Sequence, residues 1–468
     1  MTLTATPPAA APARSTTSLV FVLLGLGAGT FAILQSLISP VLPVIRHDLG
    51  TTQAGVSWVL IAWLLSASVA TPILGRIADL IGKHRALLIV LGAIAVGSLV
   101  SALAPNLGVL IVGRIIQGLG GAIFPIVFGI IRDEYPAHRV PRAIGAMSSV
   151  IAVGGGLGTV LAGPITAALG WRALFGIPLV LVVAVAALAW KFVPASPVRG
   201  GGRVNWPAAA LLAGWLVALL LPVSIGARWG WLSAPTLGLF VVAAIAFTLW
   251  VLVETRSSNP VIDMRMMRHR PVWTTNLVAL LFGAAMFSVI TFLPQFIQTP
   301  KAAGYGFGSS VTVAGFLIFP MLVTMAVGGM ISGPIHTVVG FRAQLAYGSA
   351  FLAAGAAGFA LFNDAPWQVS SAAAVFGLGL GLAYAAMTSV IVHSVSPSAT
   401  GAATGMNANI RNIGGAIGTA AVSALVTGTI APNGLPTSTG YAVAFLTIAA
   451  TAAVAVVLSL LIPGRRNA

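Results

Sequence analysis

The chain has 468 residues, of which 58% are hydrophobic and only 6% are charged, whereas soluble domains average about 25% charged residues. This composition excludes an ordinary soluble globular protein. The absence of cysteine excludes disulfides, thiolate metal sites and cysteine nucleophiles. The net charge of +16 resides in short loops between apolar runs, where membrane proteins carry Lys and Arg on the cytoplasmic side, so no nucleic-acid partner is expected.

In chain order, residues 1–16 are rich in Thr, Ala and Pro and are predicted to be a disordered cytoplasmic tail. Apolar runs follow, and most of them have the roughly 20 residues that a membrane-spanning helix needs. They predict an all-α polytopic membrane protein with fourteen transmembrane helices. Residues 463–468 form a second cytoplasmic tail. The predicted spans are 17–45, 55–78, 86–104, 107–131, 143–168, 173–193, 206–223, 234–254, 273–298, 309–333, 342–362, 367–393, 401–428 and 438–462.

The distribution of basic residues predicts the orientation. With the N-terminus inside, 17 Lys and Arg fall on the cytoplasmic side, 4 fall outside and two lie within helices. This bias predicts both termini in the cytoplasm and a location in the inner (plasma) membrane.

An internal repeat divides the chain. The segment 75–85 follows the second span and resembles 333–342 after the tenth, at an offset of 258 residues. Gly118 matches Gly377 at 259, and Gly154 matches Gly414 at 260. The near-constant offset predicts two homologous six-helix halves, 17–193 and 273–462, with two helices inserted within 194–272. Parallel halves of this kind place a substrate site near the midplane, at their interface.

Several segments together resemble the major facilitator superfamily: residues 58–64, 75–85, 114–120, 170–175, 260–270, 293–298 and 411–418. The number of spans is similar to that of its fourteen-helix drug:proton antiporter branch. The resemblance covers nearly the whole chain. It implies a secondary active transporter, not an enzyme, that exports small amphipathic compounds such as drugs, antibiotics or toxic metabolites by alternating access. The proton gradient would supply the energy without a cofactor, and the partners would be the lipid bilayer, the substrate and protons, with the protein acting as a monomer.

Two departures from that branch leave alternatives open. Gln35 stands where the branch carries an acid in its first helix. In its fifth-helix motif Gly158 and Gly163 are kept, but Thr159 and Ala162 replace a Pro and a Gly. None of the seven acids falls within the middle of a predicted helix. One alternative is an exporter, facilitator or symporter of an anionic or neutral metabolite without proton antiport. The other is a receptor or scaffold without flux, against which the retained 75–85 segment argues.

The candidate substrate-binding residues are led by two arginines at membrane depth. Intramembrane charges usually face a cavity, so Arg114 in the fourth span and Arg411 in the thirteenth are predicted to line the site. Their alternative role is to snorkel or to tie helices together. If both face the cavity, the positive pocket favours anionic or neutral amphiphiles. The other candidates, whose alternative role is helix packing, are Gln35, Trp63, Gln117, Met286, Phe287, Tyr384 and Asn407.

A gate is predicted at the cytoplasmic side. Asp79 is expected to accept hydrogen bonds from the N-terminal amides of a helix in the other half. The segment also contains Gly75 and Gly82, and its basic residues Arg76, Lys83 and Arg85 are predicted to pair with Asp133 and Glu134.

Small and titratable residues complete the candidates. Five glycines are predicted to serve helix packing or as hinges. The histidines show no metal-ligand spacing, so no metal is expected, and His393 is a hypothetical substitute proton site. The five glycines are Gly154, Gly158, Gly163, Gly414 and Gly418.

Overall fold

The computed structural model describes residues 14–195, 203–428 and 435–462, and their regular secondary structure is helical. The predicted tails lie outside these residues, except that Arg14 to Thr16 already belong to the first helix. The helices are α1 Arg14–Leu37, α2 Leu42–Asp48, α3 Gln53–Ile81, α4 Lys83–Ala102, α5 Leu107–Gly118, α6 Ile123–Glu134, α7 Val140–Leu169, α8 Ala173–Phe192, α9 Trp206–Trp229, α10 Ala234–Arg256, α11 Met264–Met267, α12 Arg270–Gln298, α13 Val311–Leu361, α14 Pro366–Ser394, α15 Thr400–Thr427 and α16 Ser438–Ser459.

The predicted all-α membrane protein is confirmed, because twelve helical segments in the described part of the chain are long and apolar enough to cross a bilayer. One of them, α13, has 51 residues, or about 75 Å, which is more than twice the roughly 30 Å of a hydrocarbon core. It is interrupted at Gly340, where φ is 78° and ψ is 163°, so it contains two spans. Helix α15 is 28 residues long but is not among the twelve. The count of fourteen therefore stays a prediction.

Two predicted spans end or break where the local sequence disfavours a continuous helix. The first was predicted to reach residue 45, but α1 ends at Leu37 and a 3-10 turn, Ser39–Val41, leads into α2. Pro40 stands in that turn, and proline has no N–H with which to continue a helix. The fourth span consists of α5 and α6, which are joined by the 3-10 turn Leu119–Ala122.

Equivalent contacts recur in the two predicted halves. The Ser66 hydroxyl donates a hydrogen bond to the carbonyl of Ile115 at 2.6 Å. The Thr324 hydroxyl donates to the carbonyl of Ala374, also at 2.6 Å. The donors lie 258 residues apart and the acceptors 259 apart, which are the offsets of the sequence repeat. This recurrence supports the interpretation of two homologous halves.

The most extensive contacts between the two halves are those of α3 with α15 and of α7 with α13. Helix α9 packs against both α3 and α15, and α10 packs on α9. The inserted pair therefore covers one side of the seam between the halves. We call the end of the molecule that carries residues 75–85 and 132–140 the basic end; the orientation predicted above makes it cytoplasmic.

Candidate functional site

A small central cavity lies between the halves. Its walls come from α6 in the first half and from α14 and α15 in the second, and its volume is only about 10 Å³. One lining residue, Arg411, is charged, and the lining contains no carboxylate. The residues that line the cavity are Phe124, Pro125, Phe128, Tyr384, Thr388, Thr404, Asn407, Ala408 and Arg411.

Arg411 is held over the ring of Tyr384. Its guanidinium carbon lies 4.6 Å from the ring centroid, and its Nη2 donates to the Tyr384 hydroxyl at 3.4 Å. Only 7% of the Arg411 surface is exposed. A cation over an aromatic face is electrostatically favourable, so the side chain is pre-positioned beside the cavity without a neutralising acid.

Helix spacing and small residues place the polar groups of α15 along this cavity. Thr404, Asn407 and Arg411 recur every three or four residues and so share one helix face. The amide of Asn407 donates to Asn276 Oδ1 on α12 at 2.8 Å. On another face, Gly283 of α12 fits against the backbone carbonyl of Arg411. This close approach fixes the height and rotation of α15.

Arg114 lies elsewhere, inside the first half, and is fully buried. Its Nε donates to the carbonyl of Val59 at 3.1 Å, and its Nη1 donates to Gln117 Oε1. Gln117 in turn donates to Ser98 at 2.8 Å, and the guanidinium lies 5.2 Å from the Trp63 ring. These residues do not line the central cavity. The structure thus separates the predicted site into an Arg114 cluster and an Arg411 cluster.

Three further candidates also lie away from the cavity lining. Gln35 is partly exposed on α1. Met286 packs against the hydrophobic core, and the ring of Phe287 packs on Gly415. Their role as substrate contacts stays a prediction.

Asp79 makes a contact between the two halves at the basic end. Its carboxylate accepts hydrogen bonds from the backbone amides of Gly401 at 3.3 Å and Ala402 at 3.2 Å. These amides belong to the first turn of α15, whose partial positive charge favours an anion. A Cβ atom at Gly75 would lie 2.6 Å from the carbonyl oxygen of Gly401, so glycine is required for this approach. Gly82, with φ of 95°, ends α3 so that α4 begins at Lys83.

Lys83 forms a buried ion pair with Asp133. Nζ and Oδ2 are 2.7 Å apart, and the side chains are 1% and 2% exposed. The pairs predicted for Arg76, Arg85 and Glu134 are not among the ion pairs of the described residues. Arg85 is exposed, because residues two positions apart on a helix point to different sides and Lys83 takes the inward one.

Arg132 makes a second cross-half contact that sequence analysis missed. Its Nη2 donates to the carbonyl of Val395 at 2.7 Å. Its Nη1 donates to the Thr400 hydroxyl at 2.7 Å and to the carbonyl of Ser396 at 3.3 Å. The sequence shows only that Arg132 is a basic residue near the end of a helix. Its partners are mostly backbone atoms, which no pattern of side chains reveals.

The α7–α13 side of the seam is closed in a related way. The Ser149 hydroxyl donates to the carbonyl of Ala326 at 2.6 Å. A Cβ at Gly333 would lie 2.6 Å from the Cα of Arg142. Gly333 is the repeat partner of Gly75, so equivalent glycines permit close approach on both sides of the seam at the basic end.

Four of the five glycines that were predicted to serve packing or as hinges approach a neighbouring backbone closely. A Cβ at Gly154 would lie 2.7 Å, and one at Gly158 2.5 Å, from backbone oxygens of α1. Gly414 and Gly418 approach the α12 backbone in the same manner. Gly163 makes no such contact, since a Cβ there would meet nothing within 4 Å, and its role in packing or as a hinge stays a prediction. Helix α7 runs unbroken through Gly154, Gly158 and Gly163, and a hinge role stays a prediction.

His393 is exposed at the end of α14, where its Nδ1 lies 2.7 Å from the carbonyl of Ser389. Its proposed proton exchange stays a hypothesis. Within the described ranges, no three His, Cys, Asp or Glu side chains form a group that could hold a metal ion.

Comparison with known proteins identifies the family. The sequence model of the Major Facilitator Superfamily matches residues 24–419. The chain belongs to the Major Facilitator Superfamily. It is therefore a membrane transporter and not an enzyme.

Relatives of this superfamily member include resistance proteins. It is 27% identical over 406 residues to Multidrug resistance protein 3 of Bacillus subtilis, covering 85% of this chain and 78% of the relative. It is 29% identical over 390 residues to the Methylenomycin A resistance protein of Streptomyces coelicolor, covering 82% and 80%. The crystal structure of the human organic anion transporter MFSD10 is similar in fold, with a TM-score of 0.65, 16% identity, and coverage of 96% of this chain and 99% of that one.

Proposed function

We propose that this transporter exports small amphipathic compounds across the plasma membrane by alternating access, with the central cavity as the substrate site. The observation that carries the proposal is the placement of that cavity between two halves whose basic ends are tied together by Asp79 and Arg132. The names of the curated relatives, multidrug and methylenomycin A resistance proteins, agree with export. The protein would act as a monomer with both termini in the cytoplasm.

The closing contacts supply the gate in this proposal. Asp79 and Arg132 belong to the first half, and they bind opposite ends of helices in the second half. The carboxylate meets the positive N-terminus of α15, and the guanidinium meets carbonyls at the negative C-terminus of α14. Both contacts follow the helix dipole, and both must break when the halves rock apart at this end.

The cavity volume indicates that substrate entry requires such a movement. Pockets for drug-sized ligands measure about 300–1,000 Å³, whereas this cavity has a volume of only about 10 Å³, which is close to the minimum for one water molecule. Separation of the basic ends would enlarge this space from the cytoplasmic side. In this scheme the substrate binds when the gate is open and leaves after the gate has closed.

The proton gradient is the proposed energy source. No carboxylate lines the cavity, and Asp79, which is 1% exposed, lies in the gate itself. Protonation of Asp79 would remove the charge that attracts the N-terminus of α15, so proton binding and gate opening would be linked.

A second candidate function rests on Arg411. A cavity with one unneutralised guanidinium favours anionic or neutral compounds over cations. This favours a facilitator, symporter or exporter of an anionic or neutral metabolite that works without proton antiport.

A flux assay separates the two candidates. Inside-out vesicles are given an acid lumen, and cationic, neutral and anionic amphiphiles are added in turn to wild type and to an Arg411→Gln variant. Proton antiport predicts that a transported compound releases protons from the lumen. A substrate site at Arg411 predicts, for either candidate, that the variant loses the response to anionic compounds. Compound uptake without proton release would refute antiport and support the second candidate. A folded protein that moves none of the compounds would favour the scaffold alternative.

A further inference from the structure

Four exposed arginines lie at the basic end, in the linker between α10 and α12 and on the helix ends beside it. We call this cluster the arginine turn: Arg256, Arg265, Arg268 and Arg270. The only acid in the linker, Asp263, is occupied as a helix cap, because its carboxylate accepts a hydrogen bond from the backbone amide of Arg265 at 2.8 Å. Within the described residues, the ion pairs involve none of these arginines.

Buried contacts fix the linker in place. Glu254, which is 2% exposed, accepts hydrogen bonds from the amides of Val261 at 3.0 Å and Ile262 at 3.2 Å, and from Trp250 Nε1 at 3.2 Å. Val261 and Ile262 are 1% and 0% exposed, and Met266 is 8% exposed. The apolar side of the linker is therefore part of the core, and its arginines point outwards. Because the linker backbone is already ordered, it loses little conformational entropy when a ligand binds.

We infer that the arginine turn binds the phosphate group of an anionic phospholipid from the cytoplasmic leaflet. Arg256 ends one membrane-spanning helix and Arg270 begins the next, so the cluster lies at the level of the lipid headgroups. Guanidinium groups match phosphate oxygens with paired, charge-assisted hydrogen bonds. Clusters of basic residues directly beside membrane helices attract anionic lipids.

The position of the site connects the lipid to the seam. Helix α10, which carries Glu254, packs on α9, and α9 packs against α3 and α15. A bound lipid would therefore stabilise the inserted helix pair where it covers both halves.

Thermal unfolding in neutral detergent tests this inference without any transport measurement. The tryptophan fluorescence of the full chain reports Tm while phosphatidylglycerol, or phosphatidylcholine with the same acyl chains, is titrated into the micelles. The variant Arg265→Gln/Arg268→Gln removes two charges of the arginine turn. The matched control, Arg139→Gln/Arg342→Gln, removes two exposed arginines elsewhere at the basic end.

We expect phosphatidylglycerol to raise the Tm of wild type and of the control, and phosphatidylcholine to have a smaller effect. For Arg265→Gln/Arg268→Gln, the half-saturating fraction of phosphatidylglycerol should rise about 30-fold. Equal responses of all three proteins, or equal responses to the two lipids, would overturn the inference. The same Tm increase with inorganic phosphate alone would also overturn it, because a free anion would then suffice.

Discussion

Replacement of Asp79 by Asn should open the basic end. The carboxylate holds two backbone amides of α15, at 3.3 and 3.2 Å. The Asn side chain keeps one acceptor oxygen, but its NH2 group would face the second amide. A hydrogen bond to a charged group contributes about 1.5–3 kcal/mol, so loss of one such bond destabilises the closed end by about 2 kcal/mol. This amounts to a roughly 30-fold shift of the equilibrium towards the open form.

A thiol reporter measures this shift, because the natural chain contains no cysteine. Ser149 is 5% exposed and contacts α13 across the seam, so a Ser149→Cys thiol is protected while the basic end is closed. In inside-out vesicles, a membrane-impermeant maleimide should label this thiol about 30-fold faster when Asp79→Asn is added. The matched control is Asp364→Asn, which changes an exposed acid in the loop between α13 and α14. Equal labelling rates for the two variants would refute the gate argument.

Three further substitutions test the account. Lys83→Met leaves the buried carboxylate of Asp133 without its cation, and should lower the free energy of unfolding by about 3–5 kcal/mol in detergent denaturation. Addition of Asp133→Leu should restore most of this lost stability. A single variant as stable as wild type would contradict the argument. Gly75→Ala places a Cβ 2.6 Å from a backbone oxygen of α15 and should accelerate maleimide labelling of the Ser149→Cys thiol. The control Gly163→Ala, whose Cβ would meet nothing within 4 Å, should leave the labelling rate unchanged. Equal labelling rates for the two variants would count against close packing as the cause. Glu254→Ala leaves three donors without their acceptor and should lower the Tm by several degrees in a fluorescence melt; an unchanged Tm would show that the linker is held by its apolar contacts alone.

The family and the general fold were predictable because they depend on properties that sequence displays directly. Long apolar runs predict membrane helices, and the constant offset of the glycine motifs predicts repeated contacts such as those of Ser66 and Thr324. The ends of helices were less predictable. The break after Leu37 and the turn at residues 119–122 depend on proline and glycine, which membrane helices often tolerate in their interior.

The candidate site was predictable only in part. Asp79 stands at a helix end, so its use of amides from another helix followed from charge and helix dipole. Arg114 and Arg411 gave the same sequence signal, a charge in mid-helix, and sequence could not distinguish them. Packing decides which one lines the cavity: Arg114 is enclosed among α3, α4 and α5, while close contact of α12 with α15 turns Arg411 towards Tyr384.

We propose that substrates bind beside Arg411 in a positively charged cavity. The most direct test of this proposal is the binding affinity of matched acidic, neutral and basic amphiphiles, measured by tryptophan fluorescence with wild type and with Arg411→Gln. Wild type should prefer the acidic compound, and the variant should lose this preference while it still binds the neutral one. Tightest binding of the basic compound by both proteins would contradict the proposal.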